Sequence, residues 1–401
     1  MKRFNYQAID SKTGKPVKGV IQADTERNAG KLLIEQGFVP KKVVEENTTG
    51  LFARAKNRIT AKDRIVFTRQ FATLIGAGLP LANALRLLAD QTTSPGMKSV
   101  VEDLLANIEA GKSLTQACEM HPKVFDRLFL ALVSAGELSG TLDESLRRLA
   151  DQQEKDQAMI SRIRGAMIYP AIVLVVIIFV MVFMLVEVVP QVEALYADLG
   201  EELPGMTKFL VALANFIIHD WWIIMIVLIV LIWMLMNFRT TKSGIRTAAL
   251  IKLNIPMFKG LFHRLYNARF ARTAQILLMS GVPMIDVMGI SAESTANVVM
   301  QENIVKASDK VKAGKALSDS LEGVDYILPL VPQMAAIGEQ SGKIDEMLGR
   351  AATVYENELD EKINSISTMI EPVLMIFLAG MMVFMIGAIL MPIYSLVNSI
   401  G

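Results

Sequence analysis

Hydrophobic and polar positions change rhythm several times along the chain. Over residues 1–46, Phe4, Tyr6 and Ala8 alternate with polar side chains ahead of the turn-forming run Ser11 to Lys15. Val17 to Ile21 form a second such stretch, Asp24 stands before a helical stretch reaching Gln36, and Val39 to Val44 form a third. Period-two alternation broken by turn residues predicts strands, so residues 1–46 read as a small α/β module. The polar, basic run at 47–60 (NTTGLFARAKNRIT) reads as its linker. Beyond it, Ile65, Phe67, Phe71, Leu74 and Ile75 recur at near-helical spacing. Gly78 stands where a helix C′ glycine belongs and Pro80 suits the first turn of the next helix, which makes a helical hairpin. Ser113-x-x-Gln116 and Thr141-x-x-Glu144 have the form of capping boxes. Residues 61–165 therefore read as a domain of about six helices. The last starts near Thr141 and meets no glycine or proline before Gly165.

The rhythm then disappears into continuous apolar runs. A spanning helix needs roughly 20 such residues to cross about 30 Å of hydrocarbon, and three stretches qualify, at 166–189, 217–238 and 372–391, with Pro392 expected to end the last. Orientation follows from lysine and arginine in the flanks. From Pro190 to Asp220 the one base is Lys208, against Glu193, Asp198, Glu201, Glu202 and Asp220, whereas Arg239, Lys242, Arg246, Lys252, Lys259 and Arg264 follow with no acid among them. The loop 190–216 and the terminus 392–401 are thus placed outside, and residues 1–165 and 239–371 in the cytoplasm. The start MKRFNYQ shows no apolar stretch of the kind a cleavable signal peptide needs. Trp221, Trp222 and Trp233 read as interfacial anchors, and Arg162-Ile163-Arg164 as a positive-inside stop.

The chain is also a duplication. At an offset of 203, Gly78-Leu79-Pro80-Leu81 falls on Gly281-Val282-Pro283-Met284 and Ala110-Gly111-Lys112 on Ala313-Gly314-Lys315. After one deletion, at an offset of 202, Gly136-Glu137-Leu138-Ser139-Gly140 falls on Gly338-Glu339-Gln340-Ser341-Gly342 and Pro170 on Pro372. The second domain, 239–371, is therefore a copy of the first, with Lys343 replacing the Thr141 cap. The fold class is predominantly α: a polytopic membrane protein with two homologous cytoplasmic helical-bundle domains, three transmembrane helices and a small N-terminal α/β module.

Composition fits this division. The chain of 401 residues is 52% hydrophobic yet 20% charged, and 41 bases nearly balance 40 acids, which gives no reason to expect nucleic acid as a partner. The single Cys118 and the scattered His121, His219 and His263 leave no disulfide framework or histidine metal motif. Three Gly-Lys pairs raise the question of a phosphate loop, but the glycine required five residues earlier is replaced by Ala106, Asp309 and Ile337. Nucleophile motifs are missing as well, so no enzyme activity and no cofactor are expected. Glu137 and Glu339 are the polar residues of most interest, because both copies set a carboxylate after glycine at one inter-helix bend. They read as caps for a neighbouring helix or as partners of Arg69 and Arg272. The alternative is a domain interface, or a divalent cation such as calcium bound by Glu137 with Asp90.

Arg162-Ile163, Ala166-Met167-Ile168-Tyr169-Pro170 and Val188-Val189-Pro190 resemble the signature of the F protein of type II secretion and the platform protein of type IV pili (the GspF/PilC family). The doubled Gly78/Pro80 and Gly281/Pro283 turns and the doubled Gly-Glu-x-Ser-Gly elements are similar to that family's two cytoplasmic domains. Tyr6, Ala8, Asp10, Gly14, Gly19, Ala23, Ala29, Gly37 and Pro40 match its N-terminal module. Glu371, where the first copy has Tyr169, departs from the repeat. The resemblance implies a non-enzymatic platform in the bacterial inner membrane. Its implied partners are a cytoplasmic hexameric assembly ATPase, pilin or pseudopilin subunits, other inner-membrane assembly proteins, lipid and further copies of itself. A polytopic transporter or channel component is the competing class, and would need polar groups inside the spans.

Overall fold

The computed structural model of the chain describes residues 2–10, 16–23, 26–35, 37–45, 58–199, 205–256 and 258–400. The expected turn at 11–15, with Gly14, the cap Asp24 and most of the linker lie outside them. The chain divides into two compact units, Met1–Lys112 and Ser113–Gly401.

In the first unit, strands β1 (Lys2–Asp10), β2 (Pro16–Ala23) and β3 (Phe38–Glu45) form an antiparallel sheet of order β2-β1-β3, with helix α1 (Glu26–Glu35) between β2 and β3. Phe4 pairs with Ile21, Ala8 pairs with Pro40, and a register shift falls between Gln7 and Ala8. Ala8 and Leu33 are buried, and the Tyr6 and Phe38 rings lie 6.3 Å apart. Further along come α2 (Ala61–Gly76), α3 (Leu81–Gln91) and α4 (Pro95–Glu109). α2 starts with a full capping box: Asp63 N–H donates to Thr60 Oγ1 and Thr60 N–H to Asp63 Oδ2. Thr60 therefore belongs to the helix rather than to the linker. The turn to α3 has Gly78 at φ +83° and Pro80 at the N-cap. Buried Leu85 and Leu88 on α3, and Val101 and Leu104 on α4, recur at three-residue spacing and give these helices one apolar face each.

The second unit is helical throughout its described residues. Its helices are α5 (Leu114–Glu119), α6 (Arg127–Ser139), α7 (Leu142–Ala166), α8 (Ile168–Phe183), α9 (Val189–Leu199), α10 (Gly205–His219), α11 (Trp221–Thr240), α12 (Lys242–Asn254), α13 (Lys259–Met279), α14 (Met284–Ser294), α15 (Val298–Lys312), α16 (Leu317–Leu321), α17 (Leu330–Ser341) and α18 (Ile344–Ile400). Three carry stretches long and apolar enough to cross a membrane: Leu142–Asp198, Trp221–Thr240 and Ile344–Gly387. The first is interrupted at Met167, and its turns widen to a π-helix over Met184–Val188. Pro170 lacks the N–H that would bond Ala166, and Gly165 loosens the preceding turn. In the second copy Ser367 replaces Gly165, and α18 runs unbroken through Pro372.

Two expectations change. The segment 190–216 is not a plain loop but holds α9 and most of α10. Val189, Leu210, Val211 and Ala214 bury against Leu185 and Met385, an apolar cluster that a solvated loop would expose. The last helix continues past Pro392, the expected point of exit from the bilayer, to Ile400. The Thr141 capping box does not form. Thr141 makes no side-chain cap bond, its hydroxyl lies 2.7 Å from Ser139 Oγ, and Glu144 pairs with Arg148 instead at 2.5 Å. The Ser113 box does form, with Gln116 N–H donating to Ser113 Oγ at 3.1 Å and Ser113 N–H to Gln116 Oε1 at 3.2 Å.

α13 packs against α18, where Ala271, Ala351 and Ala352 are fully buried. Side chains this small let two helix backbones approach, so α18 is held against its own domain before it enters the apolar stretch.

Candidate functional site

The two Gly-Glu elements have one geometry. Glu137, near the end of α6, accepts from Leu114 N–H at 2.5 Å through Oε1, and from Thr115 N–H at 2.9 Å and Thr115 Oγ1 at 2.5 Å through Oε2. Glu339, near the end of α17, accepts from Leu317 N–H at 2.5 Å and from Ser318 N–H and Oγ at 3.4 and 2.5 Å. Each carboxylate thus caps the first turn of the short helix before it, α5 or α16, whose first N–H groups have no partner inside the helix and attract negative charge. The preceding glycine makes room for the turn that follows. A Cβ on Gly338 would lie 2.6 Å from Ile344 Cα, and one on Gly136 would lie 2.9 Å from Ser145 Cβ and 3.0 Å from Leu142 Cα. Gly140 and Gly342 close their helices in the left-handed conformation, at φ +74° and +72°.

Of the readings open for Glu137 and Glu339, this geometry is that of the helix cap. Arg272 does not meet Glu339; it makes a bidentate pair with Glu356 of α18 at 2.8 and 2.6 Å and also donates to Thr353 and Gln275. Asp90 lies on α3, in the first unit. Among the described residues no group of three or more His, Cys, Asp or Glu side chains gathers as a metal site. Gly111, Gly314 and Gly342 of the Gly-Lys pairs each lie just past a helix at positive φ, which is turn geometry. Cys118, buried on α5 beneath the Glu137 cap, has its thiol pushed far above the ordinary range by burial first and then by the negative charges of Glu137 and Glu119.

A polar seam joins the part of the first repeat that lies in this unit to the second repeat. Arg127 pairs with Glu293 at 2.7 Å, Arg148 donates to Ser280 at 3.3 Å, Asp156 faces Arg269 at 3.7 Å, and Arg162 pairs with Asp360. The Asp156–Arg269 contact is the most enclosed of the four. Burial raises the Asp156 carboxyl above its ordinary 3.8, opposed by Arg269 and by a hydrogen bond from Gln152. Arg269 Nε, within ion-pair reach of Asp156 but too far for a hydrogen bond, and the side-chain oxygens of Gln152 and Gln153 are buried without a hydrogen-bond partner. Beside the seam a cavity of about 720 Å³ lies between α6 and the 280–283 turn, with Leu130 and Ala135 on one wall and Val282, Pro283 and Asp286 on the other. None of these pairings has a local sequence signal, since their members lie 113 to 198 residues apart.

The signature residues lie along the first membrane-facing rod. Arg162 and half-buried Ile163 are on α7, Tyr169 is exposed and Pro170 buried at the start of α8, and Pro190 stands in α9 just after the π-helix Met184–Val188. The Arg162 side chain therefore spans to the other rod rather than simply marking the membrane boundary. Pro283 caps α14 just after Gly281 at φ +75°, as Pro80 caps α3 after Gly78.

These features define a class: a polytopic membrane protein in which one helical domain, with the membrane helix that follows it, occurs twice. The family model described as type II secretion system (T2SS), protein F, matches residues 67–190 and again 270–392, reproducing the 203- and 202-residue offsets at the two ends. A second model, the N-terminal domain of type II secretion system protein F, matches residues 1–44. The chain belongs to the type II secretion system protein F family. It is 34% identical to type II secretion system protein F of Vibrio cholerae, over 99% of both chains. It is 35% identical to type IV pilus assembly protein PilC of Myxococcus xanthus, over 99% of this chain and 96% of that one. It is 34% identical to PilC of Thermus thermophilus, over 99% of both.

Proposed function

We propose that the chain is the inner-membrane platform of a type IV pilus or type II secretion machine. In this reading it receives motion from a cytoplasmic hexameric assembly ATPase and presents pilin or pseudopilin subunits to the growing fibre. It works as a homo-oligomer alongside other inner-membrane assembly proteins. The relatives that match it end to end are named for both kinds of machine, which supports a role in such machinery.

The observation that carries the mechanical part is the pair of 57-residue helical rods, Leu142–Asp198 and Ile344–Ile400. Each begins in a helical domain, directly after the Gly-Glu element, and runs through an apolar stretch. At 1.5 Å per residue a rod is about 85 Å long, against about 30 Å of hydrocarbon, so each is long enough to link its domain to lipid depth. The basic flank after α11 and the acidic 190–220 segment support a cytoplasmic side for the helical domains and an outer side for the C-terminus.

Deleting the chain in its host, with the ATPase and pilin genes intact, is expected to abolish surface fibres or secretion. Wild-type piliation and secretion in the deletion strain would refute the reading. Reporter fusions at 200–204 and at the C-terminus are expected to be active outside the membrane, and a fusion in α12 inside it.

A further inference from the structure

The two positions that precede the repeat-related prolines come together in space. Tyr169, before Pro170, and Glu371, before Pro372, line one groove of about 360 Å³ between α8 and α18. Val173, one turn beyond Tyr169, continues the α8 wall. On α18 the lining residues Leu374, Met375, Leu378 and Ala379 follow Glu371 at intervals of three, four, seven and eight. This is one continuous stripe of a helix, about 12 Å long. Both pre-proline side chains are exposed, and the Glu371 carboxylate meets no hydrogen-bond donor or cation among the described residues.

Duplication explains why both face the groove, and divergence gives it a chemistry. Had both positions kept one residue type, the groove would hold two phenols or two carboxylates. It holds one of each instead. A carboxylate beside an aromatic ring is a seat for an ammonium group, which pairs with the first and lies on the face of the second. At the edge of an apolar zone such a carboxylate calls for a cationic partner. The wall beyond it is ridged at helical spacing and ends in Ala379 followed by Gly380, small residues that let another helix backbone approach.

We infer that this groove seats an apolar transmembrane helix that carries an amine at its inner end, the amine lodging between Glu371 and Tyr169 and the helix lying along Leu374, Leu378 and Ala379. This rests on the platform reading, which supplies such a helix as the membrane-embedded subunit being drawn into the fibre. An acyl chain would fill the apolar wall equally well, but the wall's i, i+3, i+4 ridges match the grooves of a helix.

The test uses the full chain in phosphatidylglycerol nanodiscs, a lipid without a headgroup amine, with a photoreactive benzoylphenylalanine in place of Leu378. The probe is a synthetic single-span Leu/Ala peptide with a free N-terminal amine, compared with the same peptide acetylated. Acetylation is expected to lower crosslinking at least about fivefold. Glu371→Gln should lower it equally and abolish the difference between the peptides. Glu371→Asp and Tyr169→Phe should retain it, and Tyr169→Leu should weaken it. Equal labelling of the two peptides overturns the proposal. So does full competition by phosphatidylethanolamine, which would make the ligand a lipid headgroup. If either happens while deletion of the chain still abolishes fibres, the groove assignment falls and the platform reading stands.

Discussion

Replacing Glu137 by Gln perturbs the first Gly-Glu element with almost no change in volume. The carboxylate serves two backbone N–H groups and one hydroxyl through two oxygens. Glutamine keeps one acceptor oxygen, loses the charge that complements the start of α5, and turns an NH2 towards a donor. A charge-assisted hydrogen bond contributes about 1.5–3 kcal/mol. The site is half-buried and one bond survives in the amide, so the net loss is about 2 kcal/mol. That loss falls on the docking of α5, which carries Cys118. The thiol is 1% exposed, and it reacts only when the helix opens. A cap weaker by about 2 kcal/mol makes that opening roughly thirtyfold more frequent. Exchange of Cys118 with a disulfide reagent near pH 8 reads the change directly, since an exposed thiol titrates near that pH. E137Q should react about thirtyfold faster than wild type. E339Q, which weakens the equivalent cap in the other repeat, should leave the rate within about twofold. Reaction of E137Q at the wild-type rate, or equal acceleration by E339Q, would refute the capping account.

Gly338→Ala brings a methyl to 2.6 Å from Ile344 Cα, a backbone atom that no side-chain rotation relieves; overpacking at the upper end of about 3 kcal/mol less about 1 kcal/mol of helix propensity leaves about 2 kcal/mol of destabilisation, visible in thermal unfolding of the full chain. Arg272→Ala strands Glu356, which is 23% exposed, and should cost about 3 kcal/mol in denaturant midpoint analysis, with Arg272→Lys recovering only part because a single ammonium cannot replace the bidentate fork. Asp156 gives a pH signature. Its folded carboxyl titrates above the ordinary 3.8, so its contribution is fully present below that value and is lost as pH rises through the raised one. Asp156→Asn has no such loss, and its stability relative to wild type should improve with rising pH across that window; a pH-independent difference would contradict the assignment.

Much of this architecture is local and could be read from the chain. The Gly78/Gly281 turns, the Ser113 box, the α/β start and the apolar runs each depend on a few neighbouring residues, and duplication displayed the turns and two of the three apolar runs twice. Other features depend on distance. Arg162 finds Asp360, and Tyr169 shares a groove with Glu371, across about 200 residues with no intervening pattern. Thr60-x-x-Asp63 was legible as a capping box, but its polar surroundings resemble a linker. Thr141 fails for a conformational reason: coming straight after a left-handed glycine, its hydroxyl meets Ser139 rather than the N–H groups of α7. The helices α9 and α10 were hidden because charged residues suit a loop, while the apolar residues among them form a cluster only once the third span is beside them.

The uneven break in the two rods has a mechanical consequence. In α18 roughly 28 residues, about 42 Å, precede Pro372, and the apolar stretch beyond crosses about 30 Å; with no joint between them, an arm pivoting at Pro372 returns a swing at its base at the far end of that stretch with the opposite sense and about seven-tenths of the amplitude. The first rod, jointed at Met167, dissipates the same swing as bending. In the platform reading one repeat then serves as a crank and the other as a jointed coupling, so that a push applied equally to both domains emerges in the bilayer as a shear between their helices.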